Sequence, residues 1–270
     1  MALPPRRDRS ARDAPPGMRN HWPLIALGVV ALLVFAIVTL PSSLFAGRLQ
    51  RQGVTAVAFT GSIWSGAASG LAWRGAVLGD LRWSVAPLQL FRGRVGAHIL
   101  LTRPDGRIES NVSATFAGNL HLAGTRVDLP VEALGVLPVG LPKGWRGQLH
   151  AQLEELELAK GWPVVVRGTI DMDGLVAPPP RNASIGSYHA VLPDPKSLAK
   201  PGDGISARVT DKEGPFAVDG RLTLSPDRSF LLEGTLAPRG DTPPALRRSL
   251  ELLGPADSAG RRQFGVSGTI

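Results

Sequence analysis

The sequence contains no cysteine. A disulfide framework, a thiolate-ligated zinc site and a cysteine nucleophile are therefore excluded. The absence also suits an oxidising compartment, where stray thiols are a liability. Lysine is scarce, and beyond residue 22 there is no dense Lys/Arg run. Of the net charge of +8, +3 sits in the head before residue 22, and the rest is spread thinly over the remaining chain. Nucleic-acid proteins concentrate positive charge in a patch, so no nucleic-acid partner is expected. Phosphate-loop, dinucleotide and Gly-x-Ser-x-Gly motifs are missing as well. The five histidines, His21, His98, His121, His150 and His189, show no zinc-like spacing. His98 and His150 fall in alternating segments, where a solvent-facing position is expected. Asp171-Met172-Asp173-Gly174 begins like a calcium loop but lacks the later ligands, so it reads as a plain turn. Glu154, Glu155 and Glu157 read as a solvated strand edge. No catalytic constellation stands out, and the chain reads as a non-enzyme with no cofactor and no metal.

Glycine (32) and proline (24) are abundant, which argues against a mostly helical protein of this 270-residue length. One long hydrophobic run is present. Leu24 to Leu40 carries no charge and is flanked by Trp22 and Phe45. About 20 apolar residues cross a bilayer. The run exceeds the apolar core of a signal peptide, and Leu44-Phe45-Ala46 is a poor small-x-small cleavage site. It reads as an uncleaved transmembrane helix over 23–45. Arg6, Arg7, Arg9, Arg12 and Arg19 hold the basic head, 1–22, in the cytoplasm, and residues 46–270 are exported.

Period-2 alternation dominates the exported part. Ile108, Ser110, Val112 and Ala114 form one run; Phe216 to Leu224, Phe230 to Leu236 and Phe264 to Ile270 form others. Turn signals such as "RPDGR", "DKEGP" and "SPDRS" separate them. The fold class is mainly β, an antiparallel domain. One short helix is expected near its end, where Leu246, Leu250 and Leu253 have helical spacing, Asp241 or Thr242 caps the start and Gly254 closes it. The Pro-, Ser- and Asp-rich stretch 177–204 reads as a long loop. "VVVRGTIDMDG", "FLLEGTLAPRG" and "FGVSGTI" each place Gly-Thr-Ile/Leu near a strand end. An internal hairpin repeat and simple strand composition account for this equally well.

Three tryptophans, Trp64, Trp73 and Trp83, lie within twenty residues among glycines at the start of this domain. Large aromatics dominate core energetics, so a tryptophan-rich core corner is expected in preference to a ligand platform. The pattern Gly-x-Ile-Trp-x-Gly, then Gly-Leu, Leu-x-Trp-x-Val-x-Pro-Leu and Gly-Arg-Val resembles the type II secretion system protein N family. Gly61, Trp64, Gly66, Leu81, Trp83, Pro87, Leu88, Gly93 and Val95 carry the resemblance. Leu246 to Gly254, then Gly260-Arg261 and a closing Gly268, are similar to the family's final helix, turn and strand. The middle, 120–210, is not diagnostic.

The resemblance implies a single-pass protein of the bacterial inner membrane with a periplasmic β domain. It implies an accessory, non-catalytic scaffold that links inner-membrane platform proteins to the outer-membrane channel of the secretion system. Its partners would be other secretion proteins and the membrane, and the motif residues would be structural. An alternative is an anchored, AsmA-like β-groove protein that binds or transfers lipid. Geometry discriminates: a lipid groove needs a continuous apolar face open to solvent, whereas a scaffold covers that face. A third class, an anchored hydrolase, would need a convergent polar cluster that the sequence does not show.

Overall fold

The computed structural model describes residues 53–87, 94–115, 118–136, 144–196, 204–240 and 242–269. The expected membrane helix and cytoplasmic head lie outside these residues, as do Leu88, Gly93 and Asp241. Among the described residues, no helix is long and apolar enough to cross a membrane.

Among the described residues, fourteen strands form one antiparallel sheet. They are β1 (Val54–Thr55), β2 (Ala58–Gly61), β3 (Ser65–Trp73), β4 (Ala76–Ala86), β5 (Arg94–Arg103), β6 (Gly106–Thr115) and β7 (Leu120–Pro130). After a 3₁₀ segment, Val131–Val136, come β8 (Arg146–Ala159), β9 (Trp162–Val176), β10 (Ser184–Leu192), β11 (Ile205–Glu213), β12 (Phe216–Leu224), β13 (Ser229–Pro238) and β14 (Arg262–Thr269). From β3 to β14 each strand pairs with the next in sequence, while β1 and β2 both pair with β3. At roughly 4.8 Å per strand the paired path measures about 60 Å across.

Local chemistry explains the meander. Two-residue turns at Arg74-Gly75 and Lys160-Gly161 have positive φ at both positions. That is the type I′ geometry, whose twist matches the flanking strands. The helix α1 (Pro244–Glu251) has Pro at its start and buries Leu250 to 4% exposure. The expected Thr242 cap is absent: no side chain caps the helix, and the Thr242 hydroxyl donates to the carbonyls of Pro215 and Arg239. Leu253 lies beyond the helix and is 42% exposed, so only the first two leucines of the expected stripe belong to α1.

Three expectations need correction. The stretch 177–204 is not one long loop, because it contains β10. Tyr188, Ala190 and Leu192 alternate there, and the flanking prolines and polar residues obscured the alternation. Asp171 to Gly174 is not a turn but part of β9; Gly174, at φ +61, lies where the β9–β10 register shifts. Glu154, Glu155 and Glu157 are not on an edge. They sit in β8, an interior strand; Glu155 and Glu157 are paired on both sides, and Glu154 lies where the β8–β9 register shifts.

Candidate functional site: two faces of one sheet

Register converts the period-2 pattern into two chemically distinct surfaces. Leu81, Leu101, Ile108, Val127, Ala151 and Ile170 are successive partners across β4 to β9. The row continues through Ala190, Val209, Gly220 and Gly234 to Phe264 on β14. One residue along each strand, the opposite face reads Asp80, Thr102, Arg107, Asp128, His150 and Asp171. That row then runs through His189, Thr210, Asp219 and Thr235 to Gln263. Side chains alternate between faces along a strand, so a continuous apolar row implies a continuous polar one behind it.

The apolar face holds the core. Leu192, Ile205 and Ala207 are buried together, with Val166, Ile170, Leu222 and Leu224 packed on them. Ser110 also points to this face and is 1% exposed. Its hydroxyl lies 2.7 Å from that of buried Thr125, so the two satisfy each other. Further along the same strands the face opens into a trough of about 360 Å³, lined by Met172, Ile185, Tyr188, Val209, Phe216 and Leu236, among others. Burial, aided by the Asp211 carboxylate, pushes the Tyr188 phenol up to about 12.

The polar face is a mesh of ion pairs. His150 reaches Asp128 (3.3 Å) and Asp173 (3.9 Å), and His189 Nδ1 lies 2.8 Å from Asp171. Lys212 bridges Asp171 and Asp173 at 3.2 and 3.1 Å. His98 is exposed here and His150 half-buried, both on the polar face that the alternation required. His121 Nδ1, itself buried and without a hydrogen bond, lies 3.4 Å from Glu157. His121, Glu155 and Glu157 bring one ligand atom each within 4.8 Å of one another. Sequence spacing missed this cluster because it depends on the β7–β8 register. Its chemistry fits a divalent cation only weakly: the His121 and Glu157 side chains are both partly exposed, and Arg167 already lies 3.4 Å from Glu155.

Several aspartates titrate low. Burial raises the Asp171 carboxyl, but His189 and Lys212 outweigh it and hold it below the usual range. Burial likewise raises Asp194, and the Lys196 N–H and Arg221 outweigh it. The Arg103 guanidinium lowers Asp105. These carboxylates bind protons less readily folded than unfolded, so their stabilisation is complete above the unfolded carboxylate range. It is lost as pH falls through the lower folded values. The urea midpoint is expected to be steady across neutral pH and to fall below about pH 4. A midpoint that rises on acidification would contradict this.

The expected motif residues mostly converge. Gly61 pairs with Gly66, and Gly66 pairs with Trp83. A Cβ on Gly66 would lie 2.5 Å from the Trp83 ring, so the ring covers this glycine. Trp83 Nε1 donates to the Ile63 carbonyl at 3.1 Å, and the Trp64 carbonyl accepts from the Val85 N–H. Leu81 pairs with buried Ala68. Pro87 is exposed just past β4. The three tryptophans are half-buried.

Such a molecule is a β-meander protein whose features are extended surfaces, one apolar and one charged. The family model described as "Type II secretion system (T2SS), protein N" matches residues 52–265, and the chain belongs to that family. The Type II secretion system protein N of Aeromonas hydrophila is 28% identical over 94% of this chain and 100% of its own length. Its namesake from Vibrio cholerae is 22% identical over 88% of this chain and 94% of its own. That of Klebsiella pneumoniae is 24% identical over 90% and 94%. No solved structure matches the chain.

Proposed function

We propose that this secretion-system component is a non-catalytic, single-pass protein of the bacterial inner membrane. Residues 1–22 form its cytoplasmic head, 23–45 its transmembrane helix and 46–270 its periplasmic domain. It links inner-membrane platform proteins to the outer-membrane channel. Family membership carries the reading, supported by the uncharged run Leu24 to Leu40 behind an arginine-rich head. A sheet about 60 Å across suits contact with more than one partner. Tethering raises the effective concentration of the sheet near those partners, so weak contacts suffice.

Deleting the gene should strand exported enzymes in the periplasm. The full chain should restore secretion, and residues 47–270 released behind a cleaved signal should restore it at least about tenfold less well, because the tether is lost. Normal secretion in the deletion strain would refute the reading.

A second reading, lipid binding, is favoured by the trough on the apolar face, which is lined almost wholly by carbon. Phospholipid co-purifying with the protein, together with altered outer-membrane lipid and unchanged secretion on deletion, would replace the linking role with this one.

A further inference from the structure

Among the described residues the sheet has two edges, and they are built differently. Beyond β3 lie only β1 and β2, of two and four residues, separated by Ala56 and Val57. Natural sheets blunt their edges with such short, interrupted strands. The other edge is β14. It pairs with β13 residue for residue, from Ser229↔Thr269 to Leu236↔Arg262, without a bulge. No described strand pairs with its outer side.

From Gln263 to Thr269 this edge carries no charge and no proline. The lysines, prolines, bulges and inward charges that protect exposed edges are all missing. Seven residues at about 3.4 Å each leave roughly 24 Å of main chain open to a further strand. On the apolar face, the row Ala207, Leu222, Leu232 and Val266 stops at Val266, which is 53% exposed.

The edge also matches itself. Phe230, Leu232 and Gly234 of β13 lie opposite Gly268, Val266 and Phe264 of β14. Both strands thus carry Phe-x-apolar-x-Gly-Thr, read in opposite directions across the pair. Each phenylalanine covers glycine: a Cβ on Gly268 would sit 2.7 Å from the Phe230 ring, and the Phe264 ring reaches to 3.4 Å from the Cβ position of Gly220. Bulky residues opposite glycine are a recurrent way to fill a sheet face.

We propose that two copies of this chain pair antiparallel, edge to edge, through β14, about a two-fold axis normal to the sheet at Val266. Val266 then meets Val266 of the second copy, and Phe264 meets Gly268, repeating the β13–β14 pattern. All seven uncharged residues find partners. Even-numbered residues stay on the apolar face, so apolar joins apolar and polar joins polar. No like charges are opposed within this stretch, and isologous pairing of this kind closes after two copies. A foreign extended segment would meet the same main chain; the self-matching Phe/Gly spacing and the lack of any charge to select an unlike partner favour a second copy. The proposal is independent of the role in secretion.

The cysteine-free sequence makes the test direct. Val266→Cys in the full-length protein, in membranes, is oxidised and run on a non-reducing gel. Directly opposed residues have Cβ atoms about 4.5–5.5 Å apart, close to disulfide reach. A disulfide-linked dimer is expected, whereas Val57→Cys, 86% exposed by the other edge, stays monomeric. In the otherwise natural chain, Val266→Lys should convert a dimer to a monomer by light scattering in detergent, with unchanged circular dichroism. No crosslink at 266, equal crosslinking at 57 and 266, or a dimer that survives Val266→Lys would each overturn the proposal.

Discussion

Replacing Trp83 with alanine is expected to lower stability by about 3 kcal/mol, the low end for a buried large aromatic because this ring is half-buried. Two losses combine. The ring leaves Gly66, over which it packs, with nothing to take its place, because glycine has no side chain to fill the gap. The Ile63 carbonyl loses the indole donor at 3.1 Å. Trp83→Phe removes the donor but keeps a smaller aromatic ring in place, so it should cost less than the alanine change, about 1–2 kcal/mol. The corner ties β2, β3 and β4 together, so the alanine variant should also fall in cellular abundance. Urea unfolding of the full chain in detergent measures both variants. Natural stability in Trp83→Ala, combined with lost binding to a partner or lipid, would make this ring a contact residue instead.

Gly234→Val should cost about 3 kcal/mol or more, through overpacking. The added Cβ would lie 2.4 Å from the Asp219 carbonyl oxygen and 2.5 Å from the Gly220 Cα. Both are main-chain atoms of β12, which can yield only by opening the β12–β13 ladder. Gly265→Val on the neighbouring strand is the control. Its Cβ would meet nothing within 4 Å, so the change should stay within about 0.5 kcal/mol. Comparable losses at both positions would mean that strand conformation, not close approach, determines where glycine is needed.

These two glycines mark what could be read from the chain. Both look alike as letters in an alternating strand. Only register reveals that one faces a neighbouring main chain and the other faces open space. The same limit hid the His121, Glu155 and Glu157 cluster, in which His121 is far in sequence from the two glutamates and becomes their neighbour when β7 pairs with β8. It also hid β10, where Tyr188, Ala190 and Leu192 alternate over too few residues to stand out beside Pro178, Pro179, Pro180 and Pro193. Thr242 was a reasonable helix cap by type, but Pro243 holds the N-cap position, one residue nearer the helix, and proline has no side-chain acceptor.

Alternation is a property of single strands, and each strand carries it alone. The antiparallel class, the polar-face positions of His98 and His150, the short helix and the tryptophan–glycine motif were therefore all present in the sequence by itself. Tertiary structure decided how strands align. A shift of one residue would send every side chain of a strand to the other face. The two type I′ turns and the bulges near Gly174 and Gly186 set that alignment. From it follow the continuous apolar and polar rows, the open trough and, among the described residues, the long edge at β14, none of which belongs to any strand taken singly.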